Sequence, residues 1–312
     1  MQLFSIEPSA FSARMSVRDK LSLQVNANSL AQRSPTPQSY RVADGVAVID
    51  ITGVMLTSPD PLDLFLGGFT NTRGVTRAVE LASVDNAVTA IVLRIDSPGG
   101  SVDGLSELGD SVRDAGRRKR VVAVVEGLCA SAGFYAAASA SEIVAGKMDM
   151  VGSIGTILVV YDASEAAKSA GLKVVVISTG ELKGTGTFGT ALTADEEAYL
   201  QGIVDAYFAD FRRTVMSGRG TRLSLANWTE IESGKVFVAG EAKRLGLIDK
   251  FGRMGDTMAR LAGQAADSQR IRARVQRSML VVGEMDARRR TSDRAGKQRA
   301  ALQLAELRAA RR

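Results

Sequence analysis

The chain of 312 residues contains no histidine. A Ser-His-Asp triad or a Cys-His pair built from its own residues is therefore excluded. A zinc site would have to rely on carboxylates and one thiol, a donor set that zinc seldom uses. Cysteine occurs once, as Cys129, so no internal disulfide can form, in keeping with a reducing compartment. No metal and no cofactor are expected. Long apolar runs are also missing. None approaches the ~20 residues that cross a bilayer, and the opening stretch (MQLFSIEPSAFSARMSVRDK) lacks the continuous apolar core of a secretory signal. A cytoplasmic protein without a membrane span is expected.

What remains is ordinary globular material, 45% hydrophobic and 24% charged, enough for one large α/β domain with extensions or for two small domains. The net charge of +6 is unevenly placed: 264–312 holds 13 Lys+Arg against 5 Asp+Glu, a net +8, which leaves 1–263 at −2. The high isoelectric point therefore belongs to an appendage and says nothing about the body's substrate. This basic tail reads as a helical or disordered solvated arm, or as a docking segment for nucleic acid or an acidic partner. It contains no aromatic residue, so contact with nucleic acid would be limited to phosphate.

Residues 1–44 show no sustained periodicity and end in Arg33-Ser34-Pro35-Thr36-Pro37-Gln38; they read as an N-terminal extension with a helical stretch around Val17–Ala31. From Gly45 onward, Gly45–Thr52, Ala90–Ile95, Val121–Val125, Glu142–Ala145, Val151–Val160 and Lys173–Ser178 have the composition of buried strands. Between them, Asn71–Ser83, Asp103–Ala115 and Ala163–Ala170 carry helical spacing, and Thr193-Ala194-Asp195-Glu196 is a capping box opening a long helix to about Met216. The alternation predicts an α/β fold with a largely parallel, doubly covered sheet. Ligands of such sheets bind beyond the carboxyl ends of the strands. Ser97–Gly100, Cys129–Gly133 and Ser178–Gly189 each follow a strand and are expected on one rim.

The stretch Val121–Ala140 (VVAVVEGLCASAGFYAAASA) organises this rim. An apolar run stops at Glu126-Gly127, a short loop follows, and a small-residue helix opens at Ser131. A hydroxyl and the free N–H groups of a helix N-terminus are thereby presented together. Taken alone, Ser131 reads first as an ordinary helix cap. Pro98-Gly99-Gly100 taken alone reads as a turn, and its two glycines let backbone N–H groups face a substrate at close range. Paired with the N–H of Ala132, that of Gly100 or Gly99 would stabilise an oxyanion, each donor worth on the order of 3 kcal/mol. Cys129, with no histidine to activate it, reads as packing, and Glu126 and Asp96 as turn or cap residues.

Four blocks now stand in order: Asp96-Ser97-Pro98-Gly99-Gly100-Ser101-Val102, Cys129-Ala130-Ser131-Ala132-Gly133-Phe134-Tyr135-Ala136-Ala137, Val151-Gly152-Ser153-Ile154-Gly155 and Gly180-Glu181-Leu182-Lys183. Together they resemble the S49 family of serine peptidases, the signal peptide peptidase A type, and within it the phage capsid-assembly (prohead) proteases, over about Gly45 to Gly252. The resemblance implies a ClpP/crotonase-like fold with a single protease repeat and a Ser/Lys dyad. Ser131 falls on the nucleophile, Lys183 on the general base, Ser153 on the hydroxyl that holds the lysine, and Gly100 and Ala132 on the oxyanion amides. A lysine base must be neutral, which desolvation would achieve by lowering its pKa from ~10.4; such a base suits a chain without histidine. The resemblance further implies a homo-oligomeric ring in which neighbouring subunits share one active site.

The expected protein is thus an endopeptidase domain over 45–263, flanked by the 1–44 extension and the 264–312 tail. It would cleave protein substrate, with capsid or scaffold proteins as partners, in the host cytoplasm or prohead. The alternatives are a soluble general peptidase like signal peptide peptidase A, a crotonase-type acyl-CoA enzyme, and an inactive structural ring component.

Overall fold

A backbone N–H or C=O buried without a partner is costly, so buried apolar runs pair with one another. In the computed structural model, which describes residues 4–6, 39–59, 68–223, 225–267, 270, 274–279, 296, 297, 299 and 300, the described strands are β1 (Phe4–Ile6), β2 (Arg41–Ala43), β3 (Val46–Thr52), β4 (Val54–Leu56), β5 (Phe69–Asn71), β6 (Ala90–Ser97), β7 (Gly99–Ser101), β8 (Arg120–Ala130), β9 (Glu142–Ala145), β10 (Met150–Gly152), β11 (Val236–Val238) and β12 (Lys250–Phe251). The chain divides into two units, Met1–Leu261 and Ala262–Arg312, and the fold described is that of the first. The helix expected around Val17–Ala31 and most of the basic tail lie outside the described residues.

The main sheet runs β11-β10-β8-β6-β3-β2, with β9 paired to β8 and β12 to β9. Its centre is parallel: β3 with β6, β6 with β8, and β8 with both β9 and β10. Alternation sorts the side chains to two faces. Ile49, Ile51, Ile91, Leu93, Ile95, Ala123 and Val125 point into the larger core. There they meet Val75, Ala78, Val79 and Ala82 of helix α1 (Thr72–Val84) and Leu108, Val112 and Ala115 of α2 (Leu105–Arg118). Val46, Val92, Val122, Val124 and Val144 face the other way, onto Leu261, Met254 and Met258. A parallel sheet covered on both faces is the expected architecture. A second, four-stranded sheet, β1-β7-β4-β5, stands beside it.

Four local expectations are corrected. Strand β8 does not stop at Glu126-Gly127 but continues to Ala130. Its pairing with β6 shifts register between Ile95 and Ser97, and Gly127 takes φ +109°. Carboxylates satisfy the displaced amides: Gly127 N–H donates to Asp149 and Leu128 N–H to Asp96, both at 3.1 Å. The irregularity lets one strand pair with β9 through Val122–Val124 and with β10 through Leu128–Ala130. Glycines 99 and 100, expected in a turn, form β7 instead. Lys173–Ser178 is not a strand among the described residues; its valines are exposed, and Ile177 is 94% exposed. Strand β10 ends at Gly152 rather than extending to Val160.

Beyond Ser131 the helices include α3 (Ala132–Ala138), α4 (Ser164–Ser169), α5 (Ala194–Arg219), α6 (Trp228–Ile231) and α7 (Ala239–Arg244), and residues 254–267 are helical as well. The Thr193/Glu196 capping box opens α5 as expected, and Gly220 closes it. Its last turns enter the core through Phe211, Thr214, Val215 and Arg219, whereas Tyr199 and Tyr207, before those turns, are exposed. Arg219 is fully buried, makes two 2.9 Å bonds to the Asp249 carboxylate and donates to the Gly246 carbonyl. No helix among the described residues is long and apolar enough to cross a membrane.

Burial pushes the Asp249 pKa up, but hydrogen bonds from Arg219 and the Ile143 N–H outweigh it and hold the carboxyl below its ordinary range. A depressed folded-state pKa adds stability above the unfolded pKa, lost as pH falls through the folded one. Arg219→Ala should cost about 3–5 kcal/mol by leaving the Asp249 charge poorly compensated. Urea unfolding near neutral pH and again in the acid range checks this: the deficit should shrink on acidification, and an undiminished deficit would mean that packing alone is lost.

Candidate active site

Two of the three rim segments expected from sequence, Ser97–Gly100 and Cys129–Gly133, meet around the ends of β8, β10 and β7; Ser178–Gly189 follows no strand. Ala130 and Gly152 are paired in parallel register, so Ser131 and Ser153 leave neighbouring strands side by side. The Ser131 N–H donates to the Gly152 carbonyl at 2.8 Å, and the Ser153 N–H to the Lys235 carbonyl at 2.7 Å. Both serines have φ +51°; among the described non-glycine residues only Asp44 shares a positive φ. Such a backbone costs of order 1–3 kcal/mol and persists where its surroundings enforce it. Gly152 is part of that enforcement, since a Cβ on it would lie 2.6 Å from the Lys235 carbonyl oxygen.

Ser131 holds the N-cap position of α3, yet φ +51°, ψ −117° is not capping backbone, and its side chain makes no cap hydrogen bond. The ordinary explanation for a serine before a helix therefore fails here. Its hydroxyl sits on a strained turn between strand and helix, with Ala132 at the first helical position; Ser131 and Ser153 are 1% and 5% exposed.

Strand β7 is brought to the same rim by Ser97, which pairs with Cys129. Ser97 Oγ donates to the Gly53 carbonyl at 2.6 Å and accepts the Gly99 N–H at 3.1 Å. Sequence reasoning noted Ser97 only as part of a block; its role as the clasp between the two sheets needs the register. Gly100 lies against β4, where a Cβ would fall 1.8 Å from the Met55 carbonyl oxygen. Helix α3 also packs close, a Cβ on Gly133 falling 3.3 Å from Ser97 Cβ.

Lys183 lies in a 3-10 turn, Glu181–Gly184, and is exposed, as are the neighbouring Leu182 and Phe188. The desolvation that a lysine base needs is not supplied to it by the described residues of its own chain. The secondary candidates behave as packing or turn residues: Cys129 is fully buried, with burial and then Asp149 pushing its thiol pKa far up, and Asp96 and Glu126 serve the strand irregularity and Arg94. A cleft of about 440 Å³ opens one helical turn past Ser131, lined by Leu105, Tyr135, Thr156, Tyr207, Asp210 and Phe211. Tyr135 donates to Asp210 at 2.7 Å and tilts against Phe211. No cluster of three or more potential metal ligands is found among the described residues.

A parallel-sheet rim with a strained serine before a short helix, and a glycine strand from a second small sheet, agree with the ClpP/crotonase-like α/β fold expected from the sequence. Residues 113–267 match the profile of Peptidase family S49, the family that the four sequence blocks resemble. It is 33% identical over 177 residues to the protein MJ0651 of Methanocaldococcus jannaschii, covering 57% of this chain and 56% of that one. Over 213 residues it is 28% identical to Capsid assembly protease C of Escherichia phage lambda, covering 68% and 48%. The chain thus spans about half the length of these relatives. Among solved structures, a point mutant of ClpP1 from Listeria monocytogenes aligns with 67% of this chain and 92% of its own, at a TM-score of 0.42 and 15% identity.

The backbone strain has a direct consequence. At most sites alanine is more stabilising than glycine, but at a positive φ the order inverts. Ser131→Gly should therefore be more stable than Ser131→Ala by about 1 kcal/mol, as read from paired thermal or urea unfolding. Greater stability in the alanine variant would remove the strain. Gly100→Ala, with its Cβ driven into the Met55 carbonyl, should be among the most destabilising single methyl additions in the chain.

Proposed function

We propose that the chain is a Ser/Lys endopeptidase with its peptidase domain over 45–263. The observation that carries the reading is the pair of strained, buried serines, Ser131 and Ser153, held side by side by the β8–β10 register. Ser131 Oγ adds to the scissile carbonyl while neutral Lys183 takes its proton. The Ala132 and Gly100 N–H groups stabilise the oxyanion; the Gly99 N–H already serves Ser97 Oγ and is the weaker candidate. Lys183 returns the proton to the leaving amine, then deprotonates the water that hydrolyses the acyl-enzyme. Ser153 orients the lysine.

In this reading Lys183 comes from a neighbouring copy. Its exposure, the apolar exposed run at 172–177 and the exposed first half of α5 support a homo-oligomeric assembly in which that arm docks and loses water. The 1–44 extension and the basic 264–312 tail flank the domain, and the protein acts in the host cytoplasm or prohead.

For the substrate, similarity to a capsid-assembly protease supports cleavage of scaffold or other capsid proteins. The higher identity to an archaeal protein favours a general cellular peptidase as the second reading. Mass spectrometry of wild type and Ser131→Ala, each coexpressed with capsid proteins encoded beside it, separates the two: fragments specific to wild type support the capsid role, and intact capsid proteins the general one.

Ser131→Ala and Lys183→Ala should each lower hydrolysis of labelled casein by ~10³-fold or more. Mixed in equal amounts and allowed to exchange subunits, the two inactive variants should recover roughly a quarter of wild-type activity, because random pairing reunites an intact serine with an intact lysine. Hydrolysis retained by Lys183→Ala would remove the mechanism. A mixture that exchanges subunits and stays inactive would place the lysine within one chain.

A further inference from the structure

The strand that carries Gly100 is already occupied. Strand β7 pairs with β4 on one side and, on the other, antiparallel with β1 from the chain's own beginning: Phe4 with Ser101, Ser5 with Gly100 and Ile6 with Gly99. Without β1, β7 would be an edge strand, a row of backbone donors and acceptors that an extended peptide can extend by one strand. This edge adjoins Ser131 through the Ser97–Cys129 register and the close packing of α3 on Ser97. The neighbouring Ser101 hydroxyl is buried with no hydrogen-bond partner among the described residues, a polar group still available to a ligand.

We propose that Phe4–Ile6 is a built-in competitor for the peptide-binding edge of the active site, so that the N-terminal segment must leave β7 before a substrate can pair there. The inference rests on the peptidase reading above and adds to it a regulatory element within the chain. Three residues pair weakly by themselves, but a segment tethered in the same chain acts at an effective concentration on the order of mM. Such a brake lowers the apparent affinity for substrate by the fraction of molecules in which β7 is open. A partner that captured the N-terminus, or its removal, would release the enzyme.

The test uses the full chain with Ser5→Pro and Ile6→Pro together, which removes two backbone donors from β1 without touching the catalytic groups. In a Ser131→Ala background, where self-cleavage is absent, amide hydrogen exchange at Gly99–Ser101 should speed up about tenfold on introducing the prolines. A synthetic peptide of residues 2–7 (QLFSIE) should restore the protection, which also shows that the variant is folded. With Ser131 intact, the proline variant should hydrolyse casein about tenfold faster than the parent below saturation, and the same peptide should inhibit it competitively.

Unchanged exchange at Gly99–Ser101 would overturn the proposal and leave the peptidase reading intact. So would faster exchange with equal casein hydrolysis, because the segment would then sit on β7 without restraining the enzyme. Absence of hydrolysis in both proteins would instead overturn the peptidase reading, and the inhibitory role with it, while the exchange measurement still reports whether β1 occupies the edge.

Discussion

A single backbone hydrogen bond, from the Ser131 N–H to the Gly152 carbonyl, holds the site in its form. It fastens the end of β8 to the end of β10 and fixes two serines in a backbone conformation that neither would choose freely. Strain of this kind is stable only when the surroundings leave no alternative. Here they are the Ala130–Gly152 register, the Lys235 carbonyl against Gly152, and the fully buried α3. The stability that the parallel core supplies is thus spent on the geometry of a few rim residues.

Around that bond the two sheets have separate tasks. The main sheet delivers hydroxyl and helix N-terminus, and the small sheet delivers the glycine strand. Ser97 joins them by bonding both the Gly53 carbonyl and the Gly99 N–H. The irregularity at Glu126-Gly127 matters for the same reason. Had β8 continued straight beside β9, the Ala130–Gly152 pairing would not exist, and Ser131 would not lie beside Ser153.

Much of this was legible in the sequence, and the parts that were not have physical reasons. The β-branched composition of Val46–Thr52 and Val121–Val125 marked buried parallel strands because both faces are covered. The Thr193/Glu196 capping box is a local signal and was found intact. Glu126-Gly127 has turn chemistry, but the amides it displaces are satisfied by Asp149 and Asp96, both distant in sequence, which no local pattern records. Gly99-Gly100 likewise has turn chemistry, yet the approach of the Met55 carbonyl makes it a strand. Lys173–Ser178 has strand composition but no strand beside it in the described chain. At the rim, residue types and order pointed to Ser131 and Gly100 and the family resemblance pointed to Ser153, whereas the failure of Ser131 to cap its helix and the clasp role of Ser97 needed the three-dimensional structure.

The central claim is that Ser131 is an activated nucleophile rather than a buried structural serine. Covalent labelling of the assembled protein with a fluorophosphonate, followed by peptide mapping, tests it most directly. The account predicts a single stoichiometric adduct on Ser131, formed much more slowly when Lys183 is replaced by alanine. Failure of the folded, assembled protein to label, or an adduct confined to another serine, would contradict it.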